Sequence, residues 1–197
     1  IVIMNYLAHL FLSPNHDLIR IGNLAGDFIK GANKTLLPKE IQYGIQLHQE
    51  IDKFTDHHTI IIQSKHRINS QYRRFSGVLI DIFYDHFLAQ HWHTYSNTSL
   101  TEFSQHIYTT LEIHQALLPP KLQYAAPIMK TQDWLGGYQT CAGIEKTLQR
   151  MQNRLKYEYP LANAIHELNH QYHSLEQDFL DFFPEIIDHI NTVAINA

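Results

Sequence analysis

The sequence predicts an all-α fold, one helical domain of about eight or nine helices. Three observations point there. Apolar residues recur at helical spacing along nearly the whole chain. No run of alternating β-branched residues asks for a strand. Gly and Pro are sparse, 8 and 7 of 197 residues, too few for a turn-punctuated β architecture. In order, residues 5–12 read as a short apolar helix, and Pro14-Asn15-His16-Asp17 as a turn with Asp17 as N-cap. Gly22 and Gly31 bracket a short helical piece, and Pro38 opens a long helix reaching Thr55. A more polar helix follows over 59–72. Residues 78–92 are apolar nearly all round, as befits a helix covered on most sides. A helix over 100–118 stops at Pro119-Pro120, and 134–137 reads as a loop or break. Two helices follow over 142–157 and 160–182, and Pro184 opens a last one.

Composition narrows the function classes. The formal charge is −4, which argues against a general nucleic-acid binder. One cysteine, Cys141, excludes an internal disulfide and a multi-cysteine metal site. No stretch reaches the ~18 apolar residues of a membrane span. The apolar start lacks the basic region and cleavage site of a secretory signal, and Met4 reads as the natural start. The expected compartment is the cytoplasm. Histidine is the exception to an ordinary composition: the chain has 15, with no tag-like run. Because imidazole is the commonest metal ligand, metal chemistry is the natural suspicion.

Four places could carry that chemistry. In the apolar helix over 78–92, Asp81 and Asp85 stand at i, i+4 and share a face. Buried carboxylates require a cation, either a metal or a partner such as Arg20 or Arg74. His48, Asp52 and Asp56 stand at i, i+4, i+8; each step of four drifts by only about 40°, so all three can face one cavity. Asp27 is a lone acid in the Gly-bracketed piece, either a surface cap or a ligand that glycine lets approach closely. His9, alone in an apolar helix, reads first as a satisfied core histidine. His16-Asp17 reads as turn and cap, and His166, His170 and His173 as a polar, solvated face.

Taken in order, the segments NYLAHLFL, GNLAGDFIKG, GIQLHQEIDKFTD and DIFYDHFLAQHW closely resemble the acyl carrier protein phosphodiesterase family over about the first half of the chain. The second half matches only in general character. The resemblance implies a helical core distantly related to HD-domain metal phosphohydrolases and dependence on Mn²⁺. It implies hydrolysis of the phosphodiester joining 4′-phosphopantetheine to a serine of holo acyl carrier protein, and holo carrier protein as partner. It also implies metal-site residues Asp27, His48, Asp52 and Asp85, with His9, Asp56, Asp81 and His86 beside them. An adjacent His-Asp doublet, the mark of true HD domains, is replaced here by the separated His48 and Asp52.

Imidazole and carboxylate without thiolate suit Mn²⁺, Mg²⁺, Fe²⁺ or Zn²⁺. A serine alkoxide is a poor leaving group, so a proton donor is expected from His86, His9 or Asp56. An acidic carrier protein calls for a basic surface; Arg67, Arg73 and Arg74, and Lys30 beside Asp27, are the candidates. Phe28, Tyr84 and Trp92 are candidate walls for the pantetheine arm. The rival readings are an HD-like hydrolase of nucleotides or small phosphoesters, and a non-catalytic helical binding module. The sequence leaves the oligomeric state open.

Overall fold

The computed structural model describes residues 6–29 and 36–195. Eleven α-helices and several 3₁₀ turns make up these residues, with no strand among them. The helices are α1 (Tyr6–Phe11), α2 (Asp17–Ala25), α3 (Lys39–His57), α4 (Thr59–Arg67), α5 (Ser76–Gln90), α6 (Trp92–Tyr95), α7 (Leu100–Ile113), α8 (Pro120–Thr131), α9 (Trp134–Gly137), α10 (Cys141–Gln152) and α11 (Ile165–Ile195). Among the described residues no helix is long and apolar enough to cross a membrane.

The centre is α5. Ten consecutive-to-near residues from Leu79 to Ala89 are buried, including Ile80, Ile82, Phe83, Phe87 and Leu88, so the all-round apolar pattern corresponds to a helix covered on every side. Around it pack α1, α4, α10 and α11. The α2–α3 pair is held differently. A Cβ on Gly44 would stand 2.1 Å from the Ile19 carbonyl oxygen, and one on Gly22 would stand 2.2 Å from that of Ile41. The two backbones therefore touch directly, which only glycine at both positions permits. His48 lies one turn beyond this crossing and so comes to rest against the end of α2.

Several elements depart from the sequence expectation. Helix α2 runs through Gly22 and gives way to a 3₁₀ turn over Gly26–Phe28, in place of a separate piece ending at Gly31, which lies outside the described residues. The cap of α2 is His16, with Asp17 inside the first turn, where it meets His106 at 2.9 Å. The 59–72 segment divides into α4 and a 3₁₀ turn over Ser70–Phe75. The expected helix over 100–118 ends earlier, α7 stopping at Ile113 before a 3₁₀ turn over Gln115–Leu117, and Pro120 starts another helix, α8, because Pro is well suited to a first turn whose N–H is unused. Residues 134–137 form a one-turn helix capped by Asp133.

Pro184 does not break the last helix: α11 is continuous over 31 residues. Phe179, Phe182, Phe183, Ile186 and Ile190 are all buried along one face that spans the proline. Burying four or five such side chains stabilises by roughly 1.5–3 kcal/mol each, which outweighs the ~3 kcal/mol a mid-helix proline costs.

Candidate metal centre and cleft

Four side chains from three segments approach one point. His9 comes from α1, Asp27 from the 3₁₀ turn after α2, and His48 and Asp52 from successive turns of α3. His9 Nε2 lies 3.3 Å from Asp52 Oδ1, and His48 Nε2 lies 3.3 Å from Asp52 Oδ2. The two rings stack at 4.3 Å between centroids. Candidate ligand atoms of His9, His48 and Asp52 all fall within 4.8 Å of one another, the one such group among the described residues. Asp27 Oδ1 stands at the margin, 3.7 Å from His48 Nε2. Gly26 makes this approach possible, because a Cβ there would meet the His48 ring at 2.4 Å.

The buried Asn23 sets the chemistry of His9. Its amide nitrogen donates to the His9 carbonyl at 2.9 Å and to Ser13 Oγ at 2.8 Å. The oxygen end therefore faces His9 Nδ1, at 2.9 Å. Imidazole must donate there, which leaves Nε2 bare and aimed at the Asp52 carboxylate. Two acceptors at that separation need a cation or a proton between them. For His48, burial lowers the basicity of the ring, but Asp27 and Asp52 reverse this and hold its pKa above the ordinary value. Burial likewise disfavours the charge on Asp52, yet His9 and His48 hold its pKa below the usual carboxylate range. The donor set, two nitrogens and carboxylate oxygen with no thiolate, fits a divalent metal ion.

A cleft opens beside this group, with about 660 Å³ of empty space counting its mouth. Its lining combines the polar His9, Asp52, Asp56 and Asp81 with the aromatic and aliphatic Tyr84, Phe179, Phe182, Phe183 and Ile186. The α11 aromatics were not singled out from the sequence, where a Phe/Leu-rich late helix reads only as core. Asn23 was also missed; its signal is an amide in an otherwise apolar stretch of α2.

The remaining expected site residues fall in different places. Asp85 is not among the converging atoms. It accepts hydrogen bonds from the free backbone N–H groups of Leu7 (3.0 Å) and Ala8 (2.8 Å), at the start of α1. Burial pushes its pKa up to about 7 against the pull of those amides. A carboxylate at a helix N-terminus needs no metal, and here it anchors the helix that carries His9. Asp81 lines the cleft without joining the triad, and burial raises its pKa well above the carboxylate range, with Lys65 opposing. Asp56 also lines the cleft and pairs with Lys65 at 3.0 Å.

His86 stands apart, with Nδ1 at 2.7 Å from the Tyr138 carbonyl and Nε2 at 3.1 Å from the Tyr172 hydroxyl, so both ring nitrogens are occupied. Arg67 grips Asp178 through Nε (2.7 Å) and Nη2 (3.1 Å). Arg73 and Arg74 are exposed, and Lys30 lies outside the described residues. Phe28 lies in a separate groove and stacks on Tyr6; Trp92 is buried against Phe11. His166, His170 and His173 are exposed, as expected of a solvated face.

The model of the acyl carrier protein phosphodiesterase family matches residues 4–186, well past the first half of the chain. Similar proteins bearing that name come from Yersinia pestis, 33% identical over 185 residues (93% of this chain, 96% of the relative), and from Photorhabdus laumondii, 31% identical over 186 residues (94% of each). A third, from Klebsiella pneumoniae, is 32% identical over 187 residues (93% and 96%). No solved structure matches the chain.

Proposed function

The chain belongs to the acyl carrier protein phosphodiesterase family, and from that premise we propose that it hydrolyses the phosphodiester between 4′-phosphopantetheine and the carrier serine of holo acyl carrier protein. The products are apo carrier protein and free 4′-phosphopantetheine. One observation carries the reading at the level of the site: His9, His48 and Asp52 converge, and His9 and Asp52 also line a cleft that Tyr84, Phe179, Phe182 and Phe183 share. That pairing suits a charged phosphodiester attached to a long, partly apolar arm.

His9, His48 and Asp52, with Asp27 at the margin, would hold the ion, and Mn²⁺ is the ion we assign. A divalent cation there supplies charge neutralisation for the phosphodiester and water acidic enough to attack phosphorus at neutral pH. The chain's own groups do the rest. Asn23 keeps His9 in the tautomer with a bare Nε2. Asp85 holds α1 in register. The walls formed by Phe179, Phe182 and Ile186 exclude water from the arm. Asp81 is the cleft carboxyl whose pKa burial raises, against the pull of Lys65, and we assign it the proton that the departing serine oxygen needs. Asp81→Asn is then expected to lower kcat about a hundredfold while Mn²⁺ affinity is kept; an unchanged kcat removes the assignment. A cytoplasmic setting belongs to the same reading, in keeping with the free, exposed Cys141.

The decisive experiment incubates purified protein with holo carrier protein and Mn²⁺ and weighs the carrier. Loss of the phosphopantetheine mass, abolished by chelator and by Asp27→Ala, supports the reading. An unaltered carrier mass refutes it.

A further inference from the structure

Helix α1 separates two concave surfaces that differ in charge. At its Leu12 end is the cleft, lined by Ala8, His9 and Leu12 with the acids Asp52, Asp56 and Asp81 and, among the described residues, no lysine or arginine. At its Tyr6 end is a second groove formed by Phe28, Pro120, Lys121, Tyr124, Ala125 and Arg154, with no carboxylate among the described residues of its lining. Tyr6 joins the groove to the metal centre. Its ring stacks on Phe28 at 6.2 Å and on Trp134 at 6.4 Å, and Arg154 lies over Trp134 at 5.6 Å. Phe28 follows Asp27, whose carboxylate is 3.7 Å from His48. His9, one turn along α1 from Tyr6, therefore lies between the two surfaces.

The groove has the marks of an interface. Tyr124 is 78% exposed, an aromatic ring left in water beside two cations. Interface cores are rich in Tyr and Arg, and a cationic rim steers an acidic partner. In the competing basic segment the Arg67 guanidinium is held by Asp178, while Arg73 and Arg74 are exposed.

We propose that the groove of Phe28, Lys121, Tyr124 and Arg154 is the docking surface for the body of the acidic carrier protein, and that only the pantetheine arm enters the aromatic cleft. The scissile phosphorus then sits between them, at the metal centre. This inference rests on the carrier-hydrolase reading above. It fixes a direction of binding: protein on the α8 side, arm on the α11 side.

The test compares Lys121→Glu/Tyr124→Ala with Arg73→Glu/Arg74→Glu. All four positions are exposed, so both variants are expected to fold. With holo carrier protein the groove variant should raise KM about tenfold or more at low salt, with a smaller effect at high salt. The arginine variant should change it less than about threefold. Apo carrier protein, which has no arm, is titrated directly; its binding should weaken with the groove variant by a similar factor. An unchanged KM and apo-carrier affinity in the groove variant, or a loss carried by the arginine variant instead, overturns the proposal. The two readings fail separately. Wild-type protein that binds carrier through the groove without cleaving it sinks the hydrolase reading and keeps the docking surface; cleavage untouched by the groove variant sinks the docking surface alone.

Discussion

Two polar clusters near the cleft, each built round one aspartate, have opposite character. Around Asp178, every donor and acceptor is matched: Arg67 binds both carboxylate oxygens, Gln63 Nε2 donates at 2.9 Å, Ser64 Oγ donates at 2.7 Å, and Ser64 meets the Tyr84 hydroxyl at 2.8 Å. Around Asp52, two imidazole nitrogens face one carboxylate, and His9 Nε2 has no proton to offer in its neutral form. Buried polar groups are normally satisfied, so the saturated cluster reads as a fastening between α4 and α11, and the unsaturated one as a site awaiting a ligand.

The sharpest way to break this contrast is to neutralise each carboxylate. Asp52→Asn should lower Mn²⁺-dependent turnover by more than about a hundredfold, with little loss of stability in the metal-free protein. Asp178→Ala should do the reverse, destabilising by roughly 1–2 kcal/mol in urea unfolding through a broken half-buried ion pair and the lost hydrogen bonds from Gln63 and Ser64. If both variants lose stability equally and turnover survives in Asp52→Asn, the two clusters are alike and the metal centre is gone.

A smaller effect sharpens the contrast through pH. His48 has its pKa raised above the ordinary 6.5 by Asp27 and Asp52, against burial, and a metal ion must displace its proton. Mn²⁺ affinity measured by calorimetry should therefore fall as pH drops through that raised value, approaching about tenfold per unit from this residue. The metal-free protein should show the opposite trend. The contribution of His48 to its stability is present below the unfolded pKa and is lost as pH rises through the folded one. A pH-independent Mn²⁺ affinity would remove His48 from the ligand set.

The parts legible in the sequence were those set by a single helix. The all-round apolar pattern of 78–92 announced a central helix. The i, i+4 spacing of His48 and Asp52 announced two groups on one face. Where spacing was the only guide, it could not tell a ligand from a fastening: Asp85 shares a face with Asp81, yet its carboxylate closes the start of α1. His9 read as core because its partners are distant in the chain. Prolines were misleading in both directions, since Pro120 begins a helix and Pro184 sits inside one.

By itself the sequence determined the helical class, the central helix and the local pair on α3, because covalent geometry and helical period act over a few residues. Tertiary structure alone decided that His9 comes to 3.3 Å from Asp52, that Asp85 reaches the start of α1 and His86 reaches Tyr138 and Tyr172, and that aromatics of α11 line the cleft. The reason is the backbone contact at Gly22 and Gly44 together with the long packed face of α11: residues far apart in sequence become neighbours only when whole helices choose how to cross.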